Sequence, residues 1–305
     1  MLTVTFLGTA GSLPTPDRNP SAIMINREGE LILFDCGEGT QRQMMRAKTG
    51  MMKLNHIFLS HLHADHILGI PGLMETMAFQ GRAHPLIIAG PVHTIDLIKK
   101  ITSISCIARD FQINAIDLTP GDIIKMDGFQ VEAIGTQHSV PSLGFCLNED
   151  NRLGKFDRQA AIALGIPPGP LFGRLQHGNS VEIDGRIIHP RQVMGDPRPG
   201  RKIVYSGDTR PCQTIELASR CADLLIHDGA LAKDKAEWAR ETMHSTADEA
   251  ALVAKRANVR QLALTHISSR YSEDVTPILN DARSIFEFSS VAYDLMKIDV
   301  KLRDE

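Results

Sequence analysis

The sequence is poor in the residues that mark secreted and membrane proteins. Its five cysteines (Cys36, Cys106, Cys146, Cys212 and Cys221) are scattered, odd in number and without a C-x-x-C pair. That pattern argues against a disulfide framework or a cysteine-rich zinc site and favours buried reduced thiols. No run approaches the ~18 uninterrupted apolar residues that a membrane helix needs. The opening MLTVTFLGTAG has neither the basic nor the apolar region of a signal peptide. Aromatic residues are only 5% of the chain, and Trp238 and Tyr271 are too isolated along it to suggest a base-stacking platform. Nor is there an excess of positive charge: 33 Lys+Arg against 36 Asp+Glu give −3 over 305 residues, unlike the basic surface usual in nucleic-acid binders. The expectation is a cytoplasmic globular protein with ample chain for a core.

The near balance conceals a local excess. Residues 151–202 hold nine Lys and Arg against four acids, so this stretch carries +5 and the remainder −8. It includes Gly165–Gly173, GIPPGPLFG, three prolines among three glycines, through which no helix is expected to run. Long irregular segments within compact domains are commonly functional or mobile. Residues 150–200 are therefore expected to be an inserted, flexible basic arm within one domain spanning 1–305, and the charge favours a binding role. Elsewhere short apolar runs such as Leu2–Leu7, Leu31–Asp35, His56–Ser60, Ile203–Ser206 and Gln261–Thr265 read as strands. They alternate with helical patterns at Thr40–Ala47, Ile67–Met77, His93–Ile101, Thr246–Arg256 and Asp274–Phe286, an α/β arrangement of sheets covered by helices.

The strongest chemical signal is His61-Leu62-His63-Ala64-Asp65-His66, directly after the apolar run ending at Ser60. Imidazoles and carboxylates suit zinc and similar ions, and burying this many such groups unpaired is costly. Alternate spacing lets His61 and His63 face one metal while Asp65 and His66 face another. His138, Asp208 and His266 each follow an apolar strand-like run, where loops converge on one rim of a sheet. An aspartate such as Asp208 can bridge two metals at the roughly 3.5–4 Å separation of two-metal hydrolytic sites. Gly8-Thr9-Ala10-Gly11-Ser12 lacks the lysine of a phosphate-binding P-loop and reads as a tight loop beneath the site.

This pattern resembles the metallo-β-lactamase superfamily, whose fold is an αββα sandwich, and within it the short form of the ribonuclease Z family. The likeness extends from Phe6-Leu7-Gly8-Thr9 through Asp35-Cys36-Gly37-Glu38-Gly39-Thr40-Gln41, His138-Ser139-Val140-Pro141, Ser206-Gly207-Asp208-Thr209 and His244-Ser245-Thr246 to Thr265-His266-Ile267-Ser268-Ser269-Arg270-Tyr271. Pro168-Gly169-Pro170 resembles the Gly/Pro-rich arm by which that family grips the tRNA elbow. The resemblance implies a homodimeric, zinc-dependent endoribonuclease that removes 3′ trailers from precursor tRNA, with two zinc ions per subunit. It implies His61, His63, His138 and Asp208 around one zinc and Asp65, His66, Asp208 and His266 around the other. It further implies Asp65 as general base, His244 as the group that helps protonate the leaving 3′ oxygen with an acid nearby, and Arg18 and Asn19 at the end of a P-x-K-x-R-N loop near the cleavage site.

Two departures stand out. Pro16 occupies the lysine position of that loop, and His227-Asp228-Gly229 stands where the family usually has His-Glu-Ala. His227 is expected to be structural rather than catalytic. The competing functions are a hydrolase of small phosphodiesters or thioesters, which has no need of a basic insert, and a non-catalytic binder, whose mark would be a missing ligand.

Overall fold

Apolar residues at every second position give a strand two distinct faces. In the computed structural model, which describes residues 1–104 and 110–303, the apolar runs pair into two seven-stranded mixed sheets. Cys106 lies outside the described residues. The first sheet runs Lys297–Asp299, Leu2–Gly8, Ala22–Arg27, Glu30–Phe34, Leu54–Phe58, Leu86–Gly90 and Ile113–Asp117. It is antiparallel up to Glu30–Phe34 and parallel beyond it. The second runs Ser289–Val291, Leu262–Thr265, Leu224–Asp228, Lys202–Tyr205, Leu143–Glu149, Phe129–Gly135 and Ile123–Met126. Its first four strands are parallel, and Leu143–Glu149 joins them antiparallel.

One face of each sheet packs on the other. Phe6, Ile25, Phe34 and Phe58 meet Val131, Phe145, Tyr205 and Ile226 in a fully buried core. The Phe34 ring stacks at 5.5 Å on Phe145 and at 5.6 Å on Tyr205. Residues of opposite parity bury the helices. Leu33, Ile57 and Ile88 pack with Met44, Leu73 and Met77 of helices Thr40–Ala47 and Gly69–Phe79. Val204, Leu225 and Leu264 pack with Ala250, Ala254 and Ile278 of helices Ala247–Arg256 and Thr276–Arg283. The result is the αββα sandwich of the metallo-β-lactamase fold. Its parallel strands deliver Asp35, His61, Asp208, Asp228 and His266 at or just past their carboxyl ends, where open α/β sheets place their ligands.

Several expected elements shift, for local reasons. The helix expected over Ile67–Met77 is two, Ala64–Ile67 and Gly69–Phe79. The Gly69 N–H leaves the helical ladder and donates to the Cys36 carbonyl at 2.9 Å. A Cβ on Gly69 would lie 2.0 Å from the Gly37 carbonyl oxygen, so only glycine allows the ligand-bearing turn to seat against the loop after Asp35. Thr246 caps Ala247–Arg256 through a capping box with Glu249.

Residues Glu149–Gly200 form a second compact unit with a small core of Ala161, Ile166, Leu175, Val181, Ile188 and Val193. This unit corrects the expectation that no helix crosses GIPPGPLFG. Helix Pro170–Gln176 begins with Pro170 in its first turn, where a missing N–H leaves no bond unmade, and continues through Gly173. A second helix, Arg158–Ala163, is capped by the Asp157 side chain, and Val181–Ile183 pairs with Arg186–Ile188.

The sandwich depends on its inter-sheet aromatics. Phe34→Ala is expected to lower unfolding stability by about 3–5 kcal/mol with an unchanged denaturant slope. A loss under ~1 kcal/mol in urea titration would show that the two sheets are held together elsewhere.

Candidate metal centre and active site

The site is built outward from a buried carboxylate. Asp35 accepts the Ser60 N–H at 2.7 Å, the Ser60 hydroxyl at 2.8 Å, the Tyr205 hydroxyl at 2.6 Å and His66 Nδ1 at 2.8 Å. It is fully buried, so these donors replace the water it gives up. Because the Ser60 hydroxyl spends its proton on Asp35, His61 Nδ1, 3.0 Å away, must donate to the Ser60 oxygen. His138 Nδ1 likewise donates to the Met243 carbonyl at 3.0 Å. In His61, His66 and His138 the outer nitrogen is thus engaged, leaving Nε2 to face inward.

The inward atoms gather in two groups. His61 Nε2 lies 3.0 Å from His63 Nδ1, and His138 Nε2 lies 3.4 Å from the same atom. Asp65 Oδ2 is 3.3 Å from His266 Nε2 and 3.5 Å from His66 Nε2. Asp208 Oδ2 stands between the groups, 3.7 Å from His61, 3.4 Å from His66 and 3.1 Å from His266. His66 Nε2 is buried without a hydrogen-bond partner. Imidazole nitrogens and carboxylates converging from several strand ends fit metal cations, and the clusters are consistent with a binuclear site. Gly11 lies directly beneath: a Cβ there would come within 2.8 Å of His266 Nδ1.

Charge follows the same geometry. Burial pushes the His61 imidazole well below its usual range, keeping it neutral. Burial pushes His66 down too, but the carboxylates of Asp208 and Asp35 together hold it well above its ordinary value. Burial alone would raise Asp65, yet the His266 hydrogen bond and the His66 charge hold it well below the usual carboxylate range. Its Oδ2 also accepts the Ser12 N–H at 3.0 Å.

His244 flanks the cluster, its ring stacked at 4.9 Å on His266. Its Nδ1 donates to Asp228 Oδ2 at 2.9 Å. Burial lowers this imidazole, but the Asp228 carboxylate outweighs it and raises the pKa to about 9. The segment is clamped from behind by Arg210, which forks onto Glu249 at 2.8 and 2.5 Å and donates to the His244 carbonyl. Glu249 in turn accepts the Thr246 N–H at 3.0 Å.

All seven candidate ligands and His244 therefore come together, while other candidates do not. His227 is fully buried and bonded through Nδ1 to the Asp228 carbonyl, on the strand face opposite the inter-sheet core. Arg18 points inward as a strut, donating to the Thr9 hydroxyl at 2.7 Å and the Ala292 carbonyl at 2.6 Å, and Asn19 binds Asp294. Asp35, Asp228, Arg210 and Glu249 were not among the sequence candidates. Asp35 and Asp228 carry the same strand-end signature that singled out Asp208. Asp35→Asn is expected to weaken metal binding about 10–100-fold by releasing His66, measured by competition with a chromophoric chelator. Unchanged affinity would mean that Asp35 does not orient the ligand.

The chain can be compared with known proteins on this basis. Residues 2–155 match the family profile described as Anti-Pycsar protein Apyc1, and residues 191–267 that of the beta-lactamase superfamily domain. Over its whole length the chain is 59% identical to Ribonuclease Z of Methanosarcina acetivorans and 56% identical to Ribonuclease Z of Methanosarcina mazei, covering 100% of each. Among solved structures it resembles human tRNase Z, short form, with a TM-score of 0.72 and 28% identity, covering 98% of this chain and 100% of that one. With its two mixed sheets and strand-end His/Asp cluster, the chain belongs to the ribonuclease Z family, short form, of the metallo-β-lactamase superfamily.

Proposed function

We propose that this chain is a zinc-dependent endoribonuclease that removes the 3′ trailer from precursor tRNA, leaving a 3′-hydroxyl on the tRNA and a 5′-phosphate on the trailer. The observation that carries this reading is the pair of His/Asp donor groups sharing Asp208 Oδ2, with a carboxylate-backed histidine alongside. In it, His61, His63, His138 and Asp208 would hold one zinc, and Asp65, His66, Asp208 and His266 would hold the other. The two ions supply phosphate polarisation and acidification of water. Asp65, anionic at neutral pH, orients the attacking water and takes its proton. Attack by water instead of the neighbouring 2′-hydroxyl breaks the bond from phosphorus to the 3′ oxygen. His244, protonated through Asp228, gives its proton to that departing oxygen.

Residues Glu149–Gly200 serve in this reading as the arm that grips tRNA. Reading RNA by shape and phosphate asks for spaced cations rather than base-edge contacts, and Arg158, Arg174, Arg186 and Arg191 are exposed. The homodimer and cytoplasmic location implied by the resemblance belong to the same reading, with sedimentation as the test of the first. Among the described residues no helix is long and apolar enough to cross a membrane.

The direct test is nucleotide-resolution mapping of an end-labelled precursor tRNA with zinc and with chelator. A metal-dependent cut at the trailer junction leaving a 3′-hydroxyl is expected. An intact precursor beside active hydrolysis of a small diester would overturn the substrate assignment. His244→Ala is expected to slow cleavage by about 10²-fold or more. Since His244 is the acid, the rate falls as pH rises through its pKa, and cations at Asp208 bring that value down from about 9. Asp228→Asn removes the carboxylate that raises it and should move the alkaline limb to lower pH; an unmoved limb would rule out this proton source. Replacing Arg174, Arg186 and Arg191 together with alanine should flatten the salt dependence of tRNA binding, by about one unit of log–log slope per lost phosphate contact. An unchanged slope would take the grip away from this unit.

A further inference from the structure

Next to His244 the structure has a cavity of about 370 Å³ that the steps above leave unused. His244 and His266 line it together with Leu13, Trp238 and Arg270. The fold pairs the tryptophan that stands alone in the sequence: the Arg270 guanidinium lies 3.6 Å from the centre of the Trp238 ring. Trp238 is half-buried against the outer helical layer, whereas Arg270 is exposed. Among the described residues no carboxylate pairs with Arg270. The guanidinium therefore lies over the indole as an exposed cation.

A planar cation beside an apolar wall, opening onto the reacting centre, matches a nucleobase. A base has two apolar faces to stack on guanidinium or aromatic planes and a polar edge, and it brings an attached phosphate of opposite charge. The position of His244 selects which base. A group that protonates the leaving 3′ oxygen lies beside the nucleoside that carries this oxygen, the last nucleotide retained on the tRNA. We propose that Arg270, backed by Trp238, is a stacking platform for the base of that nucleotide. The inference rests on the endoribonuclease reading above and extends it to a specificity-determining contact.

The test is a cycle of protein and substrate changes with the metal-loaded full chain. Trp238→Ala, Trp238→Phe and Arg270→Lys are each assayed on precursor tRNA carrying a normal base or an abasic site at the last retained nucleotide, and on one abasic at the first trailer nucleotide. Metal content per chain serves as the control for folding. Trp238→Ala and Arg270→Lys, the latter keeping charge but losing the plane, are expected to lower kcat/KM on the normal substrate on the order of tenfold, mostly through KM. Trp238→Phe should restore most of the loss. On the substrate abasic at the retained nucleotide, both variants should cleave at the wild-type rate, because the partner of the platform is already gone. Normal cleavage by the variants, or losses that persist undiminished on that abasic substrate, would overturn the platform. So would losses that vanish only with the abasic trailer nucleotide, since the base would then lie on the other side of the scissile phosphate. If the wild-type chain fails to cut any precursor tRNA, the endoribonuclease reading fails, which is a different outcome from wild-type cleavage with indifferent variants.

Discussion

The site depends on anchoring the outer nitrogens of its imidazoles. Ser60, Asp35 and the Met243 carbonyl each engage an Nδ1, so His61, His66 and His138 turn Nε2 towards one another and towards the Asp208 carboxylate. Lone pairs facing each other in a buried space repel unless a proton or a cation lies among them. The Asp208 and Asp35 carboxylates, which hold the His66 pKa above its ordinary value, favour positive charge at this point.

The fold makes such a constellation affordable only through local strain. Asp35 and His266 both sit in the left-handed region, at φ +57° and +60°. Side chains at such positions cost on the order of 1 kcal/mol or more, tolerated where surrounding bonds over-determine them. For Asp35 those bonds are its four donors. For His266 the support is Gly11, whose missing Cβ leaves room for the ring. The inter-sheet aromatics beneath keep the strand ends in register, and the Arg210–Glu249 fork ties the His244 segment to the helix that follows it. Packing, strain and chemistry are thus one problem at this rim.

Much of this was legible in the sequence. The alternation of apolar residues located the central strands, and the rule that polar residues follow strands located His138, Asp208 and His266. The half-exposed edge strands Ile113–Asp117 and Ile123–Met126 escaped because little apolar alternation is needed where one side is open to water. The same strand-end rule would have found Asp35 and Asp228, but carboxylates that orient a histidine carry no spacing motif of their own. Arg18, at a loop position that the resemblance places near the cleavage site, is a buried strut, a role that no motif announces. Trp238 could not be paired with Arg270 from sequence, since 32 positions separate them and only the loop after Leu262–Thr265 brings them together.

In the proposed site, two cation positions would share Asp208. Anomalous diffraction at the zinc edge from crystals of the zinc-loaded protein addresses it directly. The account predicts two peaks, one among His61, His63 and His138 and one among Asp65, His66 and His266, with Asp208 touching both. A single peak, or two peaks with Asp208 bound to only one, would contradict it.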